Sequence, residues 1–165
     1  EDKKILFLLY VFLLILFLNF LNQLFLGDSG AYFLSFFVGY ILIKIYNFNL
    51  NISPYFIILL LWYPCFENLF SILRKYRFNL SPLRADNKHL HQLLFYFFNK
   101  KFNFTKLVSN NGASLTINGV NLMFFLLANN YIYDSFIQIV IIVSLIIIYI
   151  LSYILLFNFR FNKNN

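Results

Sequence analysis

Phe25-Leu26-Gly27-Asp28-Ser29-Gly30-Ala31-Tyr32 is a polar knot between two long apolar runs, 5–25 and 31–46. A helix of roughly 20 apolar residues crosses a hydrocarbon core of about 30 Å. A carboxylate between two such runs therefore sits at the edge of a membrane. Gly27 and Gly30 bracket Asp28 and let backbone come close to a ligand. The pattern predicts an all-α fold, a polytopic bundle of membrane-spanning helices.

Composition points the same way. Of 165 residues, 61% are hydrophobic and 12% are charged, whereas a soluble domain carries about 25% charged residues. The whole chain, 1–165, reads as one membrane domain. A net charge of +7 would suggest nucleic acid in a polar chain. In one this apolar it fits cytoplasmic loops facing anionic headgroups, so a lipid bilayer is the expected partner and nucleic acid is not. Cys65 stands alone in an apolar run, which excludes a disulfide framework. No signal peptide with a small-residue cleavage site is visible. The many Phe, Tyr and Asn residues read as compositional bias.

Outward from the knot, about five spans are expected: 5–25, 31–46, 54–73, 115–131 and 136–157. Ser53-Pro54 is a helix start, with serine as N-cap and proline at the first helical position. Pro64 should kink the third span, because it lacks a backbone donor. Glu67 in that span is an intramembrane carboxylate, expected to pair with a cation such as Arg74 or to face the bundle interior. Asn118, Gly119 and Asn121 interrupt the fourth span, and Ser109-Asn-Asn-Gly112 reads as a loop. Residues 93–106, aromatic and basic, fit an interfacial helix lying on the membrane. Residues 74–106 hold eight of the thirteen Lys and Arg residues. By the positive-inside rule this loop is cytoplasmic, and the uncharged linker 47–53 is outside. Two crossings separate Asp28 from the loop, so Asp28 should lie on the same side. That places the candidate catalytic and binding loop, 74–113, on the same face as the knot.

Three constellations carry chemistry, each with a plainer reading beside it. Gly27-Asp28-Ser29-Gly30 suits a carboxylate ligand for a hard cation in a turn that admits phosphate. It equally suits a capped turn opening the second span. His89 and His91 suit the binding or protonation of phosphate oxygens beside Arg84 and Lys88; otherwise they are two solvated loop histidines. Zinc needs three or four ligands, which these do not supply. Residues two apart diverge by about 200° on a helix, so the two rings share a face only on extended chain. Arg84 can grip a phosphate bidentately and Asp86 can orient His89; the alternative is an ordinary loop.

Together, FLGDSGAYFL (25–34), NISPYFIILLLWYPCFENLFSILRK (51–75) and SPLRADNKHLHQLL (81–94) resemble the C-terminal half of the polyprenyl-phosphate N-acetylhexosamine-1-phosphate transferases, glycosyltransferase family 4. The likeness is greatest to the bacterial branch that starts O-antigen and related cell-wall glycans. It implies an enzyme, a phosphoglycosyltransferase of the bacterial inner membrane with its active face cytoplasmic. A sugar 1-phosphate would pass from UDP-N-acetylhexosamine to the polyprenyl phosphate undecaprenyl phosphate, releasing UMP. Mg2+ is the implied cofactor, with Asp28 as its ligand. Catalytic roles fall by resemblance on Asp28, His89 and His91, and substrate-binding roles on Gly27, Ser29, Gly30, Arg84, Asp86 and Lys88. The family's N-terminal half carries an adjacent aspartate pair that these 165 residues lack. The resemblance therefore implies activity only with the missing N-terminal half as partner; a homodimer is also allowed. The alternatives are a non-catalytic membrane subunit or remnant, or a transporter half using Glu67 and Asp28 as ion ligands.

Overall fold

The computed structural model describes residues 2–24, 27–81 and 87–161. Arg84 and Asp86 lie outside the described residues. Every described element is a helix: α1 (Asp2–Phe20), α2 (Gly27–Phe48), α3 (Pro54–Leu60), α4 (Trp62–Arg77), α5 (Leu90–Lys101), α6 (Lys106–Asn129) and α7 (Ser135–Phe161). Helices α2, α6 and α7 are long and apolar enough to cross a membrane, and α3 with α4 makes a fourth crossing if the bent pair is one span. The all-helical membrane character thus stands, with three or four of the five expected crossings supported. The chain divides into two compact units, residues 1–45 and 46–165.

In the first unit, Gly27 takes a left-handed φ of 61° and α2 begins there. That start is four residues before the expected span. Asp28 occupies the first turn and is exposed, where a carboxylate complements the helix dipole. Ser29 is exposed beside it and Gly30 is half-buried.

In the second unit the sequence signals act locally. Ser53 caps α3, its Oγ accepting from Tyr55 N at 3.2 Å. The same serine ties α3 to the α6–α7 turn, through its N–H to Ile132 O at 2.8 Å and its hydroxyl to Ser135 Oγ at 2.9 Å. Pro64 does interrupt the span, but the 71° bend falls at Leu61. A proline leaves the carbonyl four residues earlier, Leu60, without its donor, and its ring crowds that carbonyl. The chain therefore breaks ahead of Pro64, which then sits in the first turn of α4, where helix N–H groups have no partner anyway.

The Ser109–Gly112 stretch is helix, not loop. Thr105 starts α6 early, its hydroxyl accepting from Val108 N. Ser109 is fully buried with its hydroxyl on Phe104 O, and the Phe98 ring packs over Gly112. These contacts outweigh the weak helix propensity of Ser, Asn and Gly. The segment 74–113 accordingly holds the end of α4, all of α5 and the start of α6. Asparagine has a structural use as well: Asn22, Asn79 and Asn103 take φ of 61°, 53° and 54° just past helix ends. At Asn79 the following Leu80 N–H reaches back to Lys75 O at 2.9 Å, a Schellman closure with asparagine in glycine's place.

The core brings Trp62 of α4, Leu90 and Leu93 of α5, and Leu145, Tyr149 and Tyr153 of α7 together. Helix α5 is therefore packed into the bundle through one face; it does not lie on a surface with that face free. Asn121, expected to interrupt its span, is buried in α6 and accepts a hydrogen bond from Trp62 Nε1 at 3.1 Å. Gln138 is fully buried; its Nε2 donates to Ala128 O and Tyr131 O, both at 2.8 Å, and closes the α6–α7 hairpin. Outside the core, large apolar side chains such as Phe136 and Leu155 are exposed, as lipid-facing positions are.

Candidate functional site

Along α4, Glu67, Ser71 and Arg74 recur at helical spacing and form one polar stripe. It faces two tyrosines one turn apart on α7. Glu67 meets Tyr149 and Arg74 meets Tyr153, so α4 and α7 run in the same direction. Phe70 fits between, its ring edge-on to Tyr153 at 4.8 Å and to Tyr149 at 5.4 Å.

Glu67 is the node. It is 7% exposed. Its Oε2 accepts from Tyr149 OH at 2.7 Å. Its Oε1 faces His89 Nδ1 at 2.9 Å and accepts from Leu90 N at 3.2 Å. The expected interior position is therefore found, with His89 and Tyr149 directly against the carboxylate. Leu90 is the first residue of α5, so Glu67 also places negative charge at that helix N-terminus, where it is favoured.

His89 is the N-cap of α5, with φ −74° and ψ 151°. Its N–H donates to Gln92 Oε1 at 3.3 Å. This extended cap conformation resolves the spacing problem posed by the sequence. His91 is already helical, yet the two imidazoles stack with centroids 5.8 Å apart and planes 17° from parallel. Desolvation against the bundle lowers the His91 pKa from its ordinary value. Glu67 opposes that shift, and His89 adds to it.

Two arginines pin the chain just before His89. Arg74 Nη1 donates to Lys88 O at 2.9 Å and to Tyr153 OH at 2.8 Å, and its Nη2 to Ser71 Oγ at 3.3 Å. Arg160 Nη1 donates to Asn87 O at 2.8 Å. Beside them opens a groove of about 600 Å³ with apolar walls from Phe70, Leu73 and Phe157 and cations from Arg74, Arg77 and Lys88. Such a groove can hold an elongated apolar chain with an anionic head.

The structure thus gathers His89, His91 and Lys88 at one helix start. Asp28, Gly27, Ser29 and Gly30 belong to the first unit, at the start of α2. No group of three or more His, Cys, Asp or Glu suited to a metal ion occurs among the described residues. Magnesium is commonly held by one or two carboxylates with phosphates and waters completing the shell, and Asp28 is an exposed carboxylate of that chemistry. Sequence reasoning missed Tyr149, Tyr153, Arg160 and Gln92. The available signal was the pair of hydroxyl-bearing side chains one turn apart in the otherwise aliphatic run of α7. Compared with known proteins, the chain matches no family model, no curated protein and no solved structure.

Proposed function

We propose that the chain forms the lipid-phosphate and loop portion of a polyprenyl-phosphate N-acetylhexosamine-1-phosphate transferase, acting with an N-terminal half of the family type. In this reaction an oxygen of undecaprenyl phosphate attacks the sugar-bearing phosphorus of UDP-N-acetylhexosamine. The bond to the departing UMP breaks, and a lipid-linked diphosphate sugar remains. The observation that carries the reading is the groove in which three cations meet apolar walls. Its apolar part suits polyprenyl chain, and Arg77, with the positive charge of Arg74 and Lys88 beside it, suits its phosphate. Bringing a phosphate to a diphosphate concentrates negative charge, which fixed cations offset most strongly where water is scarce. His89 and His91 follow Lys88 in the chain, and the resemblance assigns them to the phosphate oxygens. Asp28 enters through the resemblance alone, as the residue bearing on magnesium, and the roles above are derived without that ion. A second reading, a non-catalytic membrane subunit, is favoured by the Arg74 bonds to Lys88 O, Tyr153 and Ser71, which also read as architecture.

Binding by the full chain in nanodiscs tests the groove. Undecaprenyl phosphate should bind more tightly than uncharged undecaprenol. Arg77→Glu should weaken the phosphate form about tenfold, roughly 1.4 kcal/mol, and leave undecaprenol unchanged. Equal binding of the two lipids, or no response to Arg77→Glu, would remove the support for this reading.

A further inference from the structure

The contacts of Glu67 bear on how His89 is presented, and the inference rests on the reading of His89 as a phosphate-facing group. We propose that Glu67 is a positioning residue for His89: from inside the bundle it holds the imidazole in the Nδ1–H tautomer, so that in the neutral ring Nε2 is the basic nitrogen.

The argument is one of donors and acceptors. A carboxylate offers lone pairs only. Leu90 N–H is an obligate donor and already points at Oε1. Tyr149 OH supplies the donor at Oε2. His89 Nδ1, at 2.9 Å from Oε1, faces an atom that can only accept, so it is a further donor and carries a hydrogen. With Nδ1 committed inward, the ring's second nitrogen has a defined role. In the neutral ring it is the nitrogen that accepts a proton.

The backbone at this point is fixed independently of the ring. Arg74 holds Lys88 O, and Gln92 holds the His89 N–H. A ring held at one nitrogen on a cap held at both sides has little freedom to turn. Partners that orient a metal-ligating imidazole through its other nitrogen change affinity or activity by roughly 10- to 100-fold when removed, and an effect of that order is expected here. Glu67 and Tyr149 lie where no substrate contact is needed for that effect.

The test is ring-nitrogen NMR on the full chain in nanodiscs, labelled with 15N-histidine. A His91→Asn chain assigns the two rings. With the rings neutral, His89 should show a protonated Nδ1 and a bare Nε2. Glu67→Ala should move the hydrogen to Nε2, and Glu67→Gln, which keeps an acceptor oxygen, should retain the Nδ1–H signature even if Glu67→Ala folds poorly. A bare Nδ1 in the native chain, or a signature unmoved in folded Glu67→Ala, would overturn the proposal. A second arm uses the chain completed by a family-type N-terminal half. There Glu67→Ala should lower kcat by about 10- to 100-fold with KM for the UDP-sugar nearly unchanged, and Glu67→Gln should recover part of the loss. A fall in KM-dependent terms alone would contradict positioning. The NMR arm stands whether or not transfer is seen, so failure of the transferase reading and failure of this proposal give different results.

Discussion

Glu67→Ala should destabilise the bundle by about 2–3 kcal/mol. The substitution removes one acceptor group that serves three donors. Leu90 is 6% exposed and Tyr149 is 2% exposed, so neither its N–H nor its hydroxyl regains water easily. Each buried donor left without a partner costs about 1–3 kcal/mol. Two considerations lower the figure here. The His89 side chain is 24% exposed and can rehydrate in part. In a membrane the unfolded reference also finds partners for its polar groups, which shrinks measured hydrogen-bond contributions. Glu67→Gln should cost about 1 kcal/mol, since one acceptor oxygen and a compatible amide remain. Denaturant unfolding in mild detergent reads both, by helical signal and by the fluorescence of Trp62, the single tryptophan. A cost below about 0.5 kcal/mol, the usual range of a surface substitution, would mean that Glu67 does not join α4, α5 and α7.

Leu93→Ala should cost about 2–3 kcal/mol. Leu93 is completely buried among Leu90, Trp62 and Leu145. Truncating a buried leucine costs about 2–5 kcal/mol, part of it for the cavity left behind. Lipid tails are as apolar as leucine, so the transfer part counts for less in a bilayer, while the lost packing contacts still count. The value separates two pictures of α5. If α5 merely lay on the membrane surface, as its aromatic and basic sequence invites, the same truncation would cost a few tenths of a kcal/mol. The loss should also loosen the start of α5, so the two imidazoles should lose their stacking. Unfolding in the same detergent system measures the first effect.

The parts of this fold written locally were readable in the sequence. Ser53 and Pro54 open a helix as their chemistry demands, and the long apolar stretches became α2, α6 and α7. The parts that depend on distant contacts were not. Ser109-Asn-Asn-Gly112 has loop chemistry, and it is helical because Phe98 and Phe104 meet it from α5 and the turn that follows. Asn121 looked like an interruption, and it is satisfied by Trp62, 59 residues away. Pro64 announced a break, but the carbonyl it deprives lies a turn earlier, so the bend moved to Leu61. The His89–His91 spacing left the rings' common face undecided. Only the cap conformation of His89, held by Glu67 and Gln92, decides it. The tyrosines of α7 had no motif to mark them, since a tyrosine in an apolar span is ordinarily a packing residue.

Transfer itself is the most direct test of the proposed function. Membranes containing the chain together with a family-type N-terminal half would receive labelled UDP-N-acetylhexosamine, undecaprenyl phosphate and magnesium. The expected result is labelled sugar phosphate in the lipid fraction with release of UMP, absent for either half alone and abolished by Asp28→Asn or His89→Ala. Correctly inserted halves that transfer nothing, or transfer that survives both substitutions, would contradict it.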